Sequence, residues 1–97
     1  MNVFTVKLGE TYLNQGFFNV GVRYGKYFSE NHGDEIVIEL DNPNHVIKGY
    51  INRTANTNAT PRVMCGSEFT KWINRHFKLG DYLKVGIISS LQIRVFK

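Results

Sequence analysis

Between Asn42 and Ser67 the chain has no aspartate or glutamate, yet it carries His45, Lys48, Arg53 and Arg62. Around the two arginines stand Asn52, Thr54, Asn56, Thr57, Asn58 and Thr60. These are the two contact types that a nucleic-acid duplex needs. Arginine and lysine neutralise phosphates and release counterions. In the major groove asparagine can pair bidentately with adenine and arginine with guanine, and threonine can reach a base edge or the thymine methyl. The plainer alternative is a turn, since Asn and Thr side chains bond their own backbone there. The acid-free run and the flanking arginines add weight to duplex contact, with Arg53 and Asn56 as candidate base readers. A second polar concentration lies at 9–24. Thr11, Tyr12, Asn14 and Gln15 sit between Gly9 and Gly16, and Asn19, Arg23 and Tyr24 follow. Glu10 is its only acid, and a carboxylate can accept from the cytosine amino group. By itself this segment reads more readily as a surface loop.

Residues for catalysis or metal binding do not assemble in the sequence. His32, His45 and His76 lie far apart, with no metal-ligand spacing to a carboxylate or to Cys65. His76 falls on the apolar face of a predicted helix and reads as partly buried. Cys65 precedes a helix start, where a thiolate is favoured, but a lone cysteine at a strand end is more often a small core residue. The glycines have no phosphate-loop spacing, and Asp81 after Gly80 reads as turn chemistry. The expectation is therefore no catalytic residue, no metal site and no cofactor. Asn52-Arg53-Thr54 and Asn58-Ala59-Thr60 match the glycosylation sequon; without a secretory leader they follow from the high Asn and Thr content. Trp72 and the phenylalanines could form a stacking platform for single strands, but most occupy apolar-periodic positions, and Tyr12 is the exception.

The elements that must position these groups are mostly strands. VFTVKL at 3–8 and FFNVG at 17–21 predict strands either side of a polar loop at 9–16. Residues 22–31 predict one imperfect helix, with Val22, Tyr24, Tyr27 and Phe28 near one face and Gly25 weakening it by roughly 1 kcal/mol. EIVIEL at 35–40 alternates cleanly. The stretch 45–54 is the longest strand candidate, ANTNAT at 55–60 a polar loop, and 61–65 the hairpin partner. Ser67 is the expected N-cap of the best helix, in which Phe69, Trp72, Ile73, His76 and Phe77 recur at helical spacing. YLKVGIIS at 82–89 and LQIRVF at 91–96 complete the chain. Many short strands with short connections point to a closed or nearly closed barrel, which removes exposed edges.

Composition bounds the rest. With 97 residues and one cysteine, the chain is a single domain with no intrachain disulfide. A net charge of +4 is only mildly basic. The first residues lack the pattern of a signal peptide and no run reaches the ~18 apolar residues of a membrane span, so the expectation is an intracellular soluble domain without membrane contact.

The order of elements, with NQGFFNVGVRYGKYF at 14–28 and FTKWINRHFKLGDYLKV at 69–85, resembles the B3-like pseudobarrel DNA-recognition domain. That domain occurs in plant transcription factors and in restriction endonucleases of the EcoRII, BfiI and NgoAVII kind. The resemblance spans nearly the whole chain. It implies a mostly-β fold with two short helices, a seven-stranded open pseudobarrel, and two arms in the major groove of double-stranded DNA. The first arm maps onto 9–23, with Thr11, Tyr12, Asn14, Gln15, Asn19 and Arg23. The second maps onto 48–62, with Lys48, Arg53, Thr54, Asn56, Asn58, Thr60 and Arg62. Gly16 and Gly21 stand where plant versions carry bulkier or basic groups, which favours the bacterial type: the recognition part of a cytoplasmic restriction endonuclease, with a separate nuclease domain in the same full-length chain or complex. The alternatives are a single-strand-binding small barrel and a non-nucleic-acid domain for protein or carbohydrate.

Overall fold

The structure, a computed structural model, describes residues 1–97. In chain order the elements are β1 (Asn2–Lys7), α1 (Glu10–Gln15), β2 (Phe17–Asn19), α2 (Val22–Gly25) and β3 (Glu35–Leu40). There follow β4 (Val46–Asn52), β5 (Arg62–Met64), α3 (Ser67–His76), β6 (Tyr82–Ser89) and β7 (Gln92–Phe96). All seven strands form one sheet in the order β1-β6-β7-β3-β4-β5-β2. Neighbours pair antiparallel except β3 with β7, which run parallel. The sheet curls into a nearly closed barrel whose edge strands, β1 and β2, are not paired to each other. That gap is an open seam.

Alternation sets the faces. In β1, Phe4 and Val6 point into the core while Val3, Thr5 and Lys7 point out. One apolar cluster joins residues of every strand to Leu13 of α1 and to Phe69, Trp72 and Ile73 of α3. Two glycines permit close backbone approaches. A Cβ on Gly49 would collide with the Met64 carbonyl oxygen. Gly16 has φ +70°, and a Cβ there would meet the Gly66 oxygen at 2.7 Å. Gly16 is therefore a junction: its carbonyl accepts from the N–H groups of Cys65 and Gly66.

One carboxylate is buried. Glu39 of β3 faces Arg94 of β7 across the parallel pair. Arg94 Nε donates to Glu39 Oε1 at 2.7 Å and Gln92 Nε2 to Oε2 at 2.8 Å. The hydrogen bond from Arg94 is the largest influence on this carboxyl and, with help from Gln92, holds it below its ordinary value against the opposing effect of burial.

Several local expectations are corrected. The segment 9–16 is not a loop: α1 forms there, a third helix, anchored where Asn74 Nδ2 donates to the Leu13 carbonyl at 2.7 Å. Six residues with one buried apolar side chain are too short to show a helical stripe. The helix expected over 22–31 covers only Val22–Gly25. Beyond it, the carbonyls of Phe28 and Ser29 turn toward Arg53 instead of extending a helical ladder. Val22 and Tyr27 are exposed, so the expected apolar face does not form. The cap of α3 is Gly66, at φ 85°, with Ser67 the first helical residue and no side-chain cap bond. His76 is exposed rather than partly buried, its ring beside Trp72 at 5.4 Å. The longest strand is β6, because β4 stops at Asn52 where Arg53 turns inward.

Candidate nucleic-acid interface

Asn19, on the edge strand β2, is where the two predicted arms meet. Its backbone N–H donates to the Tyr12 hydroxyl at 3.3 Å, which ties it to α1. Its Oδ1 accepts from Arg62 Nε and from Asn56 Nδ2, each at 3.0 Å, which ties it to the 48–62 arm. Three grooves share Asn19 as a wall. The largest, about 610 Å³, runs along β1 from Val3 to Lys7 and faces Gly21, Arg23 and Tyr24 across the seam. A second lies between Lys7, Thr11 and Arg62. A third lies between Gly21 and the hairpin tip at Asn56, Thr57, Asn58 and Thr60. Glu10 is the only carboxylate lining any of the three, against Lys7, Arg23 and Arg62.

The hairpin tip is ordered by its own side chains. Asn52 Oδ1 accepts from the N–H groups of Thr54 and Ala55 and from the Thr54 hydroxyl. Asn58 Oδ1 accepts from the Thr60 N–H and hydroxyl. Ala59 between them takes the left-handed φ of 61°. Arg53 fastens the tip to the 25–29 segment: Nε donates to Ser29 O at 3.0 Å, Nη2 to Gly25 O and Phe28 O, both at 3.0 Å, and Nη1 to Ala59 O at 3.2 Å. A guanidinium has five N–H donors, so one is left.

The same inventory sorts the amides. Asn19 and Asn58 have their oxygens filled and their nitrogens free. Asn56 is the reverse, its nitrogen donating to Asn19 Oδ1 and to Thr60 O. A bidentate contact with adenine needs one donor and one acceptor from the same amide. None of the three has both ends open. Asn14 and Gln15, exposed on α1, make no side-chain hydrogen bond and keep both.

The remaining predicted residues fall as follows. Thr11 is exposed on α1, and Arg23 is exposed on α2 with its guanidinium 5.5 Å from the Tyr24 ring. Thr54 and Thr60 keep hydroxyl lone pairs but donate their protons inward. Tyr12 is half-buried, its ring T-shaped against Phe17 at 5.8 Å, and it lines two of the three grooves. Lys48 stands apart, 4.0 Å from Glu35, in a separate hollow that it shares with Gln15. Thr5 and Lys7 of β1 also line the largest groove, and strand alternation alone places both on the outward face.

Other chemistry is sparse. No group of three or more His, Cys, Asp or Glu side chains comes together. Burial pushes the Cys65 thiol up, so it stays protonated at neutral pH. No helix is long and apolar enough to cross a membrane.

No protein-family model matches the chain, and no curated protein matches it. Solved structures do. The N-terminal domain of Helicobacter pylori LlaJI.R1 superposes with a TM-score of 0.71 at 19% identity, over 98% of this chain and 79% of that one. The Arabidopsis FUS3–DNA complex superposes with a TM-score of 0.66 at 18% identity, over 97% of this chain and 95% of that one. At these identities the likeness is one of fold, and that fold is the seven-stranded B3-like pseudobarrel.

Proposed function

We propose that this pseudobarrel recognises double-stranded DNA by sequence, through two arms, 9–23 and 48–62, that enter the major groove. The observation that carries the reading is the convergence at Asn19. Cationic and amide side chains from β1, β2, α2 and the hairpin, with Thr11 and Tyr12 of α1, face grooves with a common wall, and only Glu10 opposes them. Lys7 and Arg23 would pair with phosphates. Arg62 and the free amide end of Asn58 would face base edges from those grooves, and Asn14 and Gln15 would do so from α1 outside them. Arg53 and Asn56, the readers expected from sequence, would instead hold the arm in shape. A neighbour in fold is a complex with DNA, which supports the same partner.

The domain would be the non-catalytic recognition part of a bacterial, cytoplasmic restriction endonuclease, with cutting done by a separate nuclease domain; the likeness to the N-terminal domain of Helicobacter pylori LlaJI.R1, a bacterial protein, supports the bacterial reading. Fluorescence titrations with a duplex and its single strand, after selection from a random duplex pool, test the reading. The expected result is preference for duplex and an affinity that falls, for each tenfold rise in salt, by about 0.9 logarithmic units per phosphate neutralised. Preference for the single strand, or no salt-dependent binding to any selected duplex, refutes it.

A further inference from the structure

We infer that Arg62 is the guanine-reading residue of this domain and that Asn19 positions it, an inference that rests on the DNA-binding reading above. Arg62 on β5 stands directly opposite Asn19 on β2. Its Nε is bonded to Asn19 Oδ1, and its guanidinium carbon lies 4.2 Å from the centre of the Phe17 ring. The bond and the ring contact together fix the plane and direction of the fork. Both Nη groups are left without a protein acceptor, on a side chain that lines the groove with Lys7 and Thr11.

Asn19 is itself fixed. Two donors on one oxygen settle which end of its amide is the carbonyl and fill both lone pairs. Its Nδ2 is the only free end. The surface presented by Arg62, Asn19 and Lys7 is therefore made of donors. In the major groove guanine offers two acceptors, O6 and N7, which a guanidinium fork matches bidentately. Adenine places an amino donor beside its N7, and cytosine presents an amino donor, so each sets donor against donor. Thymine offers a single oxygen. Arg53 cannot play this part, because four of its N–H donors are taken by backbone carbonyls.

The test selects duplexes with the wild-type domain and with Arg62→Ala, Arg62→Lys, Asn19→Ala and Asn19→Asp. In the best wild-type duplex each guanine is then replaced by 7-deazaguanine, which lacks N7, or by inosine, which lacks only the minor-groove amino group. The wild type is expected to require one guanine, to bind its 7-deaza form roughly ten- to a hundredfold more weakly, and to accept inosine unchanged. Arg62→Ala binds the guanine and 7-deazaguanine duplexes equally and loses preference at that base alone, while Arg62→Lys, which has no Nε to bond Asn19, discriminates less sharply than the wild type. Asn19→Ala blurs the same base. Asn19→Asp, which keeps both acceptor bonds, restores the discrimination while weakening overall affinity. A selected site without guanine overturns the inference. So does wild-type indifference to the 7-deaza change at every guanine, or an Arg62→Ala variant that still discriminates. If the wild type enriches no duplex at all, the DNA-binding reading fails and this inference with it.

Discussion

Replacing Arg53 by alanine separates the two roles open to that residue. Its half-buried guanidinium bridges Gly25, Phe28 and Ser29 to Ala59 at the hairpin tip, over donor–acceptor distances of 3.0 to 3.2 Å. A hydrogen bond with a charged partner contributes ~1.5–3 kcal/mol. The four do not add up at that rate, because the site is partly open and water can reach the carbonyls once the side chain is gone. We expect Arg53→Ala to cost about 2–4 kcal/mol of stability, a fall in Tm of roughly 10–25 °C for a domain of this size. Urea unfolding followed by the fluorescence of Trp72, the only tryptophan and a buried one, reads this directly. DNA affinity should drop by a similar factor for every base substitution in the site, since the whole tip is released. Arg53→Lys should recover little, because one ammonium cannot reach carbonyls on both segments. A variant that unfolds at the wild-type urea concentration yet loses discrimination at one base pair would refute the reasoning and restore Arg53 as a base reader.

Three further outcomes follow from the packing. Glu39 has a folded-state pKa below its ordinary value of 4.5, so its contribution is complete above about that pH and is lost as pH falls through the folded value; urea midpoints across the acid range should show a shallower decline for Glu39→Gln than for the wild type. Gly49→Ala places a methyl against the Met64 carbonyl and should cost at least ~1–3 kcal/mol, read as a lower urea midpoint, whereas an unchanged midpoint would mean that β4 and β5 part freely. Cys65 is buried with its thiol pushed up, so iodoacetamide should label it only as fast as the domain opens; prompt labelling of the folded protein would contradict its burial.

How much of this was legible beforehand differs by element. The strands at 35–40 and 82–89 fall at the expected bounds because alternation is a local signal that the sheet merely uses. The helix α1 was hidden because its stability comes from α3, through a hydrogen bond spanning 61 residues. Lys7 could have been found from alternation in β1, but its relevance depends on the seam, which exists only once the sheet has curled.

The acid-free hairpin with which the chain announced itself was a matter of sequence alone: residue types and their order settled that this arm is cationic and rich in short polar groups. Which of those groups remain available was a tertiary matter. Arg53 and Arg62 are alike in sequence, both flanking the same loop. Arg53 is enclosed by carbonyls that arrive from 24, 25 and 28 residues away. Arg62 meets one amide oxygen and an aromatic ring and keeps both ends of its fork open. A hydrogen-bond donor has a function only if its capacity is unfilled, and the acceptors that fill it are brought by the fold.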